Sequence, residues 1–373
     1  MLYYYMELPM RLPSLSLVAL LSCGLPAMAE APRVATDITP VQSLVARVMQ
    51  GAGEADVIVR PGMSPHGYAM RPSEARALEQ ADLVIWLGAD LTPWMEHAIE
   101  TLAGDAAVIT LLDNPETHTL PTRTGARFEA HDHDHGHGHD DHAHDEHDHD
   151  DHDHDGHDDH DHDHDHDGHD DHAHSDHDHD GHDDHDGHDD HDHDDHAHDH
   201  DGTDPHAWLD PQNGERWLGL IAAELSVLDP ENAALYTANA EEAKAELAAL
   251  SSDIATQLAP LGDRPFLVFH DAYQYFETRF GLPAAGAVSL SDASDPGPAR
   301  LAELRALVDE ENVVCAFAEP QFNTAILENV FADDLRIGQL DPLGLDHPVG
   351  PGLYPALLRD MADAMTDCLS DPG

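Results

Sequence analysis

Residues 131–201 decide what the rest of the chain is left to build with. The segment is seventy-one residues long and holds twenty-nine of the thirty-five histidines and thirty-two acids; the remainder is Gly, Ala and one Ser. It contains no large apolar side chain, so nothing can be buried to offset the entropy cost of ordering its backbone. Disorder is therefore expected there, and any fold must come from the two flanks. The chemistry of the tract is chelation, because neutral imidazole suits Zn, Cu, Ni and Co. Its first histidines, His131, His133, His135, His137, His139, His142 and His144, are taken as an accessory metal-collecting group.

The flanks are acidic in their own right. The net charge is −60, and outside the tract forty-four acids still face sixteen bases. Such a chain has no cationic surface for phosphates, which excludes nucleic acid as a partner and suits a cation. The N-terminus reads as an export signal over residues 1–29: Arg11, an apolar run at 12–25, and Ala27-Met28-Ala29 ahead of the cut. A lipid anchor at Cys23, within Leu-Leu-Ser-Cys, is the alternative. Cys315 and Cys368 then remain. An even pair in an exported chain reads as a disulfide, against two buried free thiols.

After residue 30, short apolar runs alternate with helical spacing. Strands are expected at 33–36, 56–60, 83–87 and 108–112, with helices at 41–50, 73–80 and 93–102 between them. Past the tract, 204–211 reads as a turn-rich loop, 215–228 as amphipathic, and 230–258 as one Ala-, Glu- and Leu-rich helix. Strands at 266–269, 285–290, 313–318 and 335–340 then alternate with helices at 271–280, 298–310, 323–331 and 353–369. Alternation of this kind indicates parallel βαβ units. The expected architecture is α/β with two lobes, each a roughly four-stranded parallel sheet flanked by helices. The N-terminal lobe spans 30–228, the tract being an insertion in it. A long rigid helix at 229–260 joins it to the C-terminal lobe at 261–373. Ligands belong in the cleft, at the carboxyl ends of the strands.

Three of the six histidines outside the tract share that context. His66 follows the second strand in Pro-His-Gly-Tyr, His206 lies in Asp-Pro-His-Ala-Trp, and His270 ends the strand Phe-Leu-Val-Phe-His. Asp341 ends the last strand in the same way. Three imidazoles and a carboxylate suit a four-coordinate borderline cation. A single His at a strand end is commonly no more than a hydrogen-bonded loop residue, however, and no local motif such as His-Glu-x-x-His links these positions. His97, His118 and His347 read as surface residues, and Glu319 as a supporting group rather than a ligand.

A resemblance goes further than spacing can. Pro-His-Gly-Tyr-x-x-Arg-Pro-Ser-Glu at 65–74, Ala-Asp-Leu-Val-Ile-Trp-Leu-Gly at 81–88 and Asp-Pro-His-Ala-Trp-Leu-Asp-Pro at 204–211 carry it. So do Val-Phe-His-Asp-Ala-Tyr-x-Tyr-Phe at 268–276, Phe-Ala-Glu-Pro-Gln-Phe at 317–322 and Leu-Asp-Pro-Leu-Gly at 340–344. Together they resemble the zinc-binding, ZnuA-like group of periplasmic solute-binding proteins of metal ABC transporters, across nearly the whole mature chain. The resemblance implies two lobes on one long helix with the metal between them, and His66, His206 and His270 as ligands. It puts Asp341 where manganese-binding relatives have a fourth ligand, a place that zinc-binding members often leave to water or another carboxylate. Some members carry Glu before the first His, where this chain has Pro65. It also matches Cys315 and Cys368 to a pair that is bridged in some zinc members.

The function so implied is capture of Zn²⁺ in the periplasm by a monomeric receptor, not an enzyme, that hands the ion to a membrane permease. A flexible chain the length of the tract spreads about 42–51 Å end to end, against a radius of gyration of about 18 Å for the core. It can therefore collect metal around the cleft, an ability that fades as pH falls through about 6.5 and the imidazoles protonate. A manganese or iron receptor of the same fold, a metal buffer and a three-His zinc hydrolase are the alternatives.

Overall fold

The computed structural model describes residues 31–123, 125, 127–128, 202–289, 296–323, 325–331 and 334–370. The leader at 1–29 with Cys23, and the tract with its seven named histidines, lie outside these residues. The two flanks of the tract join in a single compact unit.

Each flank supplies one sheet. Strands β1 (Val34–Thr36), β2 (Ala55–Val57), β3 (Leu83–Trp86) and β4 (Ala107–Thr110) pair in parallel in the order β2-β1-β3-β4. Strands β5 (Phe266–His270), β6 (Gly286–Ser289), β7 (Cys315–Ala318) and β8 (Arg336–Gln339) repeat that order as β6-β5-β7-β8. In both sheets the chain winds outward from its first strand, then returns to that strand's other side. The switch points therefore fall between β1 and β3 and between β5 and β7, where open parallel sheets present their ligand sites. All residues of β3, β5, β6 and β7 are buried, as expected of strands covered on both faces.

The helices are α1 (Thr39–Val48), α2 (Pro72–Glu79), α3 (Pro93–Leu102), α4 (Pro211–Leu228), α5 (Ala233–Leu258), α6 (Gln274–Phe280), α7 (Pro298–Glu311), α8 (Ala325–Phe331) and α9 (Leu353–Leu369). The outer faces of the two sheets are covered by α2 with α3 and by α7 with α8. Between the sheets one apolar core runs from Val34 to Leu369 through α1, α4, α5 and α9. The 26 residues of α5 span about 39 Å, and Tyr236, Ala240, Ala243, Leu247, Leu250, Ile254 and Leu258 bury one stripe along it. It starts at Ala233 rather than 230, with the Asp229 carboxylate just ahead of it accepting from Asn232 and the Tyr236 hydroxyl.

Helix α4 begins earlier than its apolar spacing suggests. Asp210 accepts from the Gln212 N–H as N-cap and Pro211 takes the first helical position, a pairing that fixes a helix start. Helix α9 closes the molecule back onto the first half. The Tyr354 N–H donates to Ser43 Oγ in α1, and its hydroxyl donates to the Trp208 carbonyl. A Cβ on Gly214 of α4 would stand 2.7 Å from the Tyr354 ring, so only Gly admits this approach.

Cys315 of β7 and Cys368 of α9 are joined in a disulfide across 53 residues. Chain entropy for such a loop gives a stabilisation of at most about 4 kcal/mol. Cys315→Ser with Cys368→Ser is thus expected to lower the urea midpoint, whereas an unchanged midpoint would mean that packing of α9 alone sets the stability.

Two features frame the switch points. Asp37, directly after β1, is fully buried; it accepts from the Ile38 N–H at 2.8 Å and the Leu87 N–H at 2.7 Å. Burial pushes its carboxyl up to about 7 against those two donors. In the second half, the stem of the tract lies against the sheet. Residues 120–122 pair with 202–204, the Arg123 guanidinium bonds Asp271 and Glu277, and the Phe128 N–H donates to the Ala285 carbonyl at 3.0 Å.

Candidate metal centre

His270 is the last residue of β5 and Glu319 the first after β7, so both stand at the switch point of the second sheet. Glu319 is fully buried. Its Oε1 lies 2.6 Å from His270 Nδ1 and also accepts the His270 backbone N–H at 3.2 Å. His206 opens the 3-10 turn Ala207–Leu209 and has the same arrangement. Asp204 Oδ1 lies 2.7 Å from His206 Nδ1 and accepts the His206 N–H at 3.0 Å. A carboxylate accepting from Nδ1–H fixes the tautomer that leaves Nε2 as a lone-pair donor, the usual support of a metal-binding imidazole. Burial pushes the Asp204 carboxyl up to about 7, opposed by the His206 N–H and the Arg123 charge; a cation on Nε2 favours its ionised form.

His66 comes from the other sheet, on the loop between β2 and α2. That loop is pinned by the Trp94 indole donating to the Pro65 carbonyl at 2.8 Å. The Tyr68 hydroxyl, which takes Arg60 Nε at 3.0 Å and donates to Glu74 at 2.9 Å, pins it further. Glu74 in turn accepts the Arg71 N–H at the start of α2. His66 remains partly exposed, whereas His206 and His270 are buried.

One ring nitrogen of each imidazole lies within 4.8 Å of the other two. His206 Nε2 and His270 Nε2 are 3.4 Å apart. With both protons held on Nδ1, two lone pairs face each other there, an arrangement that a cation relieves. That separation suits two nitrogens on one ion, since nitrogens roughly 2.05 Å from a tetrahedral zinc are about 3.3 Å apart. The cavity is otherwise walled by Trp208, Phe322, Pro342 and Leu343 with Gln321 and Glu319. The Trp208 indole donates to the Pro342 carbonyl at 2.8 Å, closing it from the α9 side.

The structure does not bring Asp341 into this group. Its carboxylate accepts from Gln321 Nε2 and from the Leu343 and Leu345 N–H groups, as the cap of its own loop. Exposed His97 lies 3.9 Å from Glu100, His118 lies 3.3 Å from Asp210, and His347 lies 2.6 Å from Asp360; none joins the three. Sequence reasoning passed over Asp204, Gln321 and Arg123. Asp204 alone left a local signal, an Asp two residues before its partner as in an Asx turn. The other two act through contacts that only the fold creates.

Replacing Glu319 with Gln should loosen zinc by about 10–100-fold, the usual effect of losing the carboxylate behind a ligating imidazole. Competition against a chromophoric chelator reads this directly, and an unchanged affinity would refute the anchoring role.

The same fold recurs in a crystal structure of ZnuA, which the chain matches with a TM-score of 0.63 at 21% identity, over 91% of this chain and all of that one. Fold alone does not choose the metal. The solute-binding protein FpvC from Pseudomonas aeruginosa, solved with Mn²⁺, matches with a TM-score of 0.65 at 19% identity, over 92% of this chain and 99% of that one. Sequence separates them. The zinc-uptake complex component A periplasmic family, ZnuA, matches residues 34–368. The chain belongs to this family. The high-affinity zinc uptake system protein ZnuA of Paracoccus denitrificans is 44% identical to it over 356 residues, covering 94% of this chain and 96% of that protein. The ZnuA match begins at the first residue of β1 and ends at Cys368 in α9. It therefore takes in both sheets, the three imidazoles and the disulfide.

Proposed function

We propose that the protein is the zinc-capturing receptor of an ABC-type zinc importer, exported to the periplasm, with His66, His206 and His270 as its metal ligands and Zn²⁺ as cargo rather than resident cofactor. The observation that carries the reading is the pair of buried imidazoles, each backed by its own carboxylate, whose Nε2 atoms face each other at 3.4 Å. Zinc is preferred to manganese because all three donors are nitrogen, and membership of the zinc-uptake family agrees. The ion is to be passed to the membrane permease of the importer. Among the described residues no helix is long and apolar enough to cross a membrane. The tract serves as an accessory collector, outside the tight site.

Titrating zinc into protein that lacks 131–201 tests this. One tight site should persist while the weak ones disappear. Loss of all tight binding would move the function into the tract and make the protein a buffer.

A further inference from the structure

Gln321 lines the cavity and bonds Asp341 beside it, each two or three residues beyond the carboxyl end of its strand. Asp341 is committed elsewhere. Oδ1 accepts Gln321 Nε2 at 2.8 Å and the Leu343 N–H at 3.0 Å, and Oδ2 accepts the Leu345 N–H. Turning it toward the imidazoles would strip acceptors from these donors, of which Gln321 Nε2 and the Leu343 N–H are partly shielded from water.

The same contact settles the orientation of the Gln321 amide. A carboxylate offers only acceptors, so the amide nitrogen must face it and Oε1 must face away. Oε1 is buried and takes no hydrogen bond from any described residue, and Gln321 lines the cavity that holds the three imidazoles. A buried amide oxygen in that place is an acceptor held in readiness for a cation or for a water bound to one.

We infer that Gln321, rather than Asp341, serves the remaining coordination position of the ion through its amide oxygen, directly or by way of a bound water. The inference rests on the reading that the three imidazoles hold zinc. It makes Gln321 a specificity-determining residue. By pinning Asp341 it keeps an anionic oxygen away from the ion, and neutral nitrogen-rich coordination disfavours the hard cations that carboxylates attract.

The test uses the full chain with one equivalent of Zn²⁺ or Mn²⁺, read by chelator competition. Gln321→Met keeps the side-chain size and removes the amide. It should weaken zinc by about 10–100-fold and narrow the preference for zinc over manganese. Adding Asp341→Asn to it should restore that preference, a readout that mere loosening of the loop would not move. Asp341→Asn alone, which keeps an acceptor for Gln321, should cost zinc less than Gln321→Met does. The inference is overturned if Asp341→Asn is the costlier change, or if Gln321→Met leaves zinc affinity unaltered. Should Gln321→Met not fold, Asp341→Asn decides alone: a loss above about 100-fold, beyond the roughly 10–100-fold of a supporting group, marks Asp341 as a ligand and overturns the inference, and a smaller one upholds it. His270→Ala is run alongside. Tight zinc retained there would sink the three-imidazole reading itself, and this inference with it.

Discussion

Changing His206 to Ala is expected to weaken the tight zinc site by at least about 100-fold. Zinc sites built from four protein ligands bind with roughly 10–16 kcal/mol, so one ligand stands for roughly 3 kcal/mol, or more than two decades in affinity. His206 is at the upper end of that expectation because its support is lost as well. Asp204 is buried behind it, and without the imidazole that carboxyl keeps its desolvation but loses its partner. His66 should show the smallest loss of the three, being partly exposed and on a loop where water can replace it. Chelator competition on the three Ala variants gives the order. Equal losses near threefold at every position would mean that the group does not act as one site.

The second large effect concerns stability. Arg123 precedes the tract by a few residues, yet its guanidinium is clamped between Asp271 and Glu277, with 5% and 4% of those side chains exposed. It also lies 3.7 Å over the Phe128 ring. Burial alone would lower its pKa, but Glu277 and Asp271 outweigh burial and raise it further above the usual guanidinium range. Removing one partner of a buried ion pair costs about 3–5 kcal/mol, because the remaining charge stays buried and uncompensated. Arg123→Ala is expected to lose that much in urea unfolding of the metal-free protein. Arg123→Ala combined with Glu277→Gln should recover part of it. A loss below about 1 kcal/mol would show the cluster to be open to water, as surface pairs are. Because Asp271 directly follows His270, the same clamp ties the stem of the tract to the strand end that presents an imidazole.

Much of this arrangement is legible in the sequence, and the reasons are local. Most strands of the two sheets are apolar runs that overlap the expected positions; β2 (Ala55–Val57) ends three residues early and β8 (Arg336–Gln339) is largely polar. Strand ends are where an α/β fold exposes polar groups, so His270 and the loop residue His66 stand out once the strands are found. The start of α4 is missed because its signal is the cap Asp210-Pro211 rather than apolar spacing. Asp341 has the chemistry and the strand-end position of a ligand, yet its carboxylate is taken by Gln321 and two backbone donors. Which acceptor a donor finds is decided by tertiary packing. The Glu319–His270 pair, 49 residues apart, exists only because β5 and β7 are neighbours. The strand-end place of Glu319 marks it as a supporting group, but not which imidazole it supports.

Three imidazoles, and not the tract, are expected to hold the tight zinc. X-ray absorption at the zinc edge, on protein lacking 131–201 and loaded with one equivalent, measures this directly. Three imidazole nitrogens at roughly 2.0–2.1 Å, with the remaining position filled by oxygen, is the predicted shell. A shell with one imidazole or none would contradict the claim, and so would failure of that protein to retain the ion.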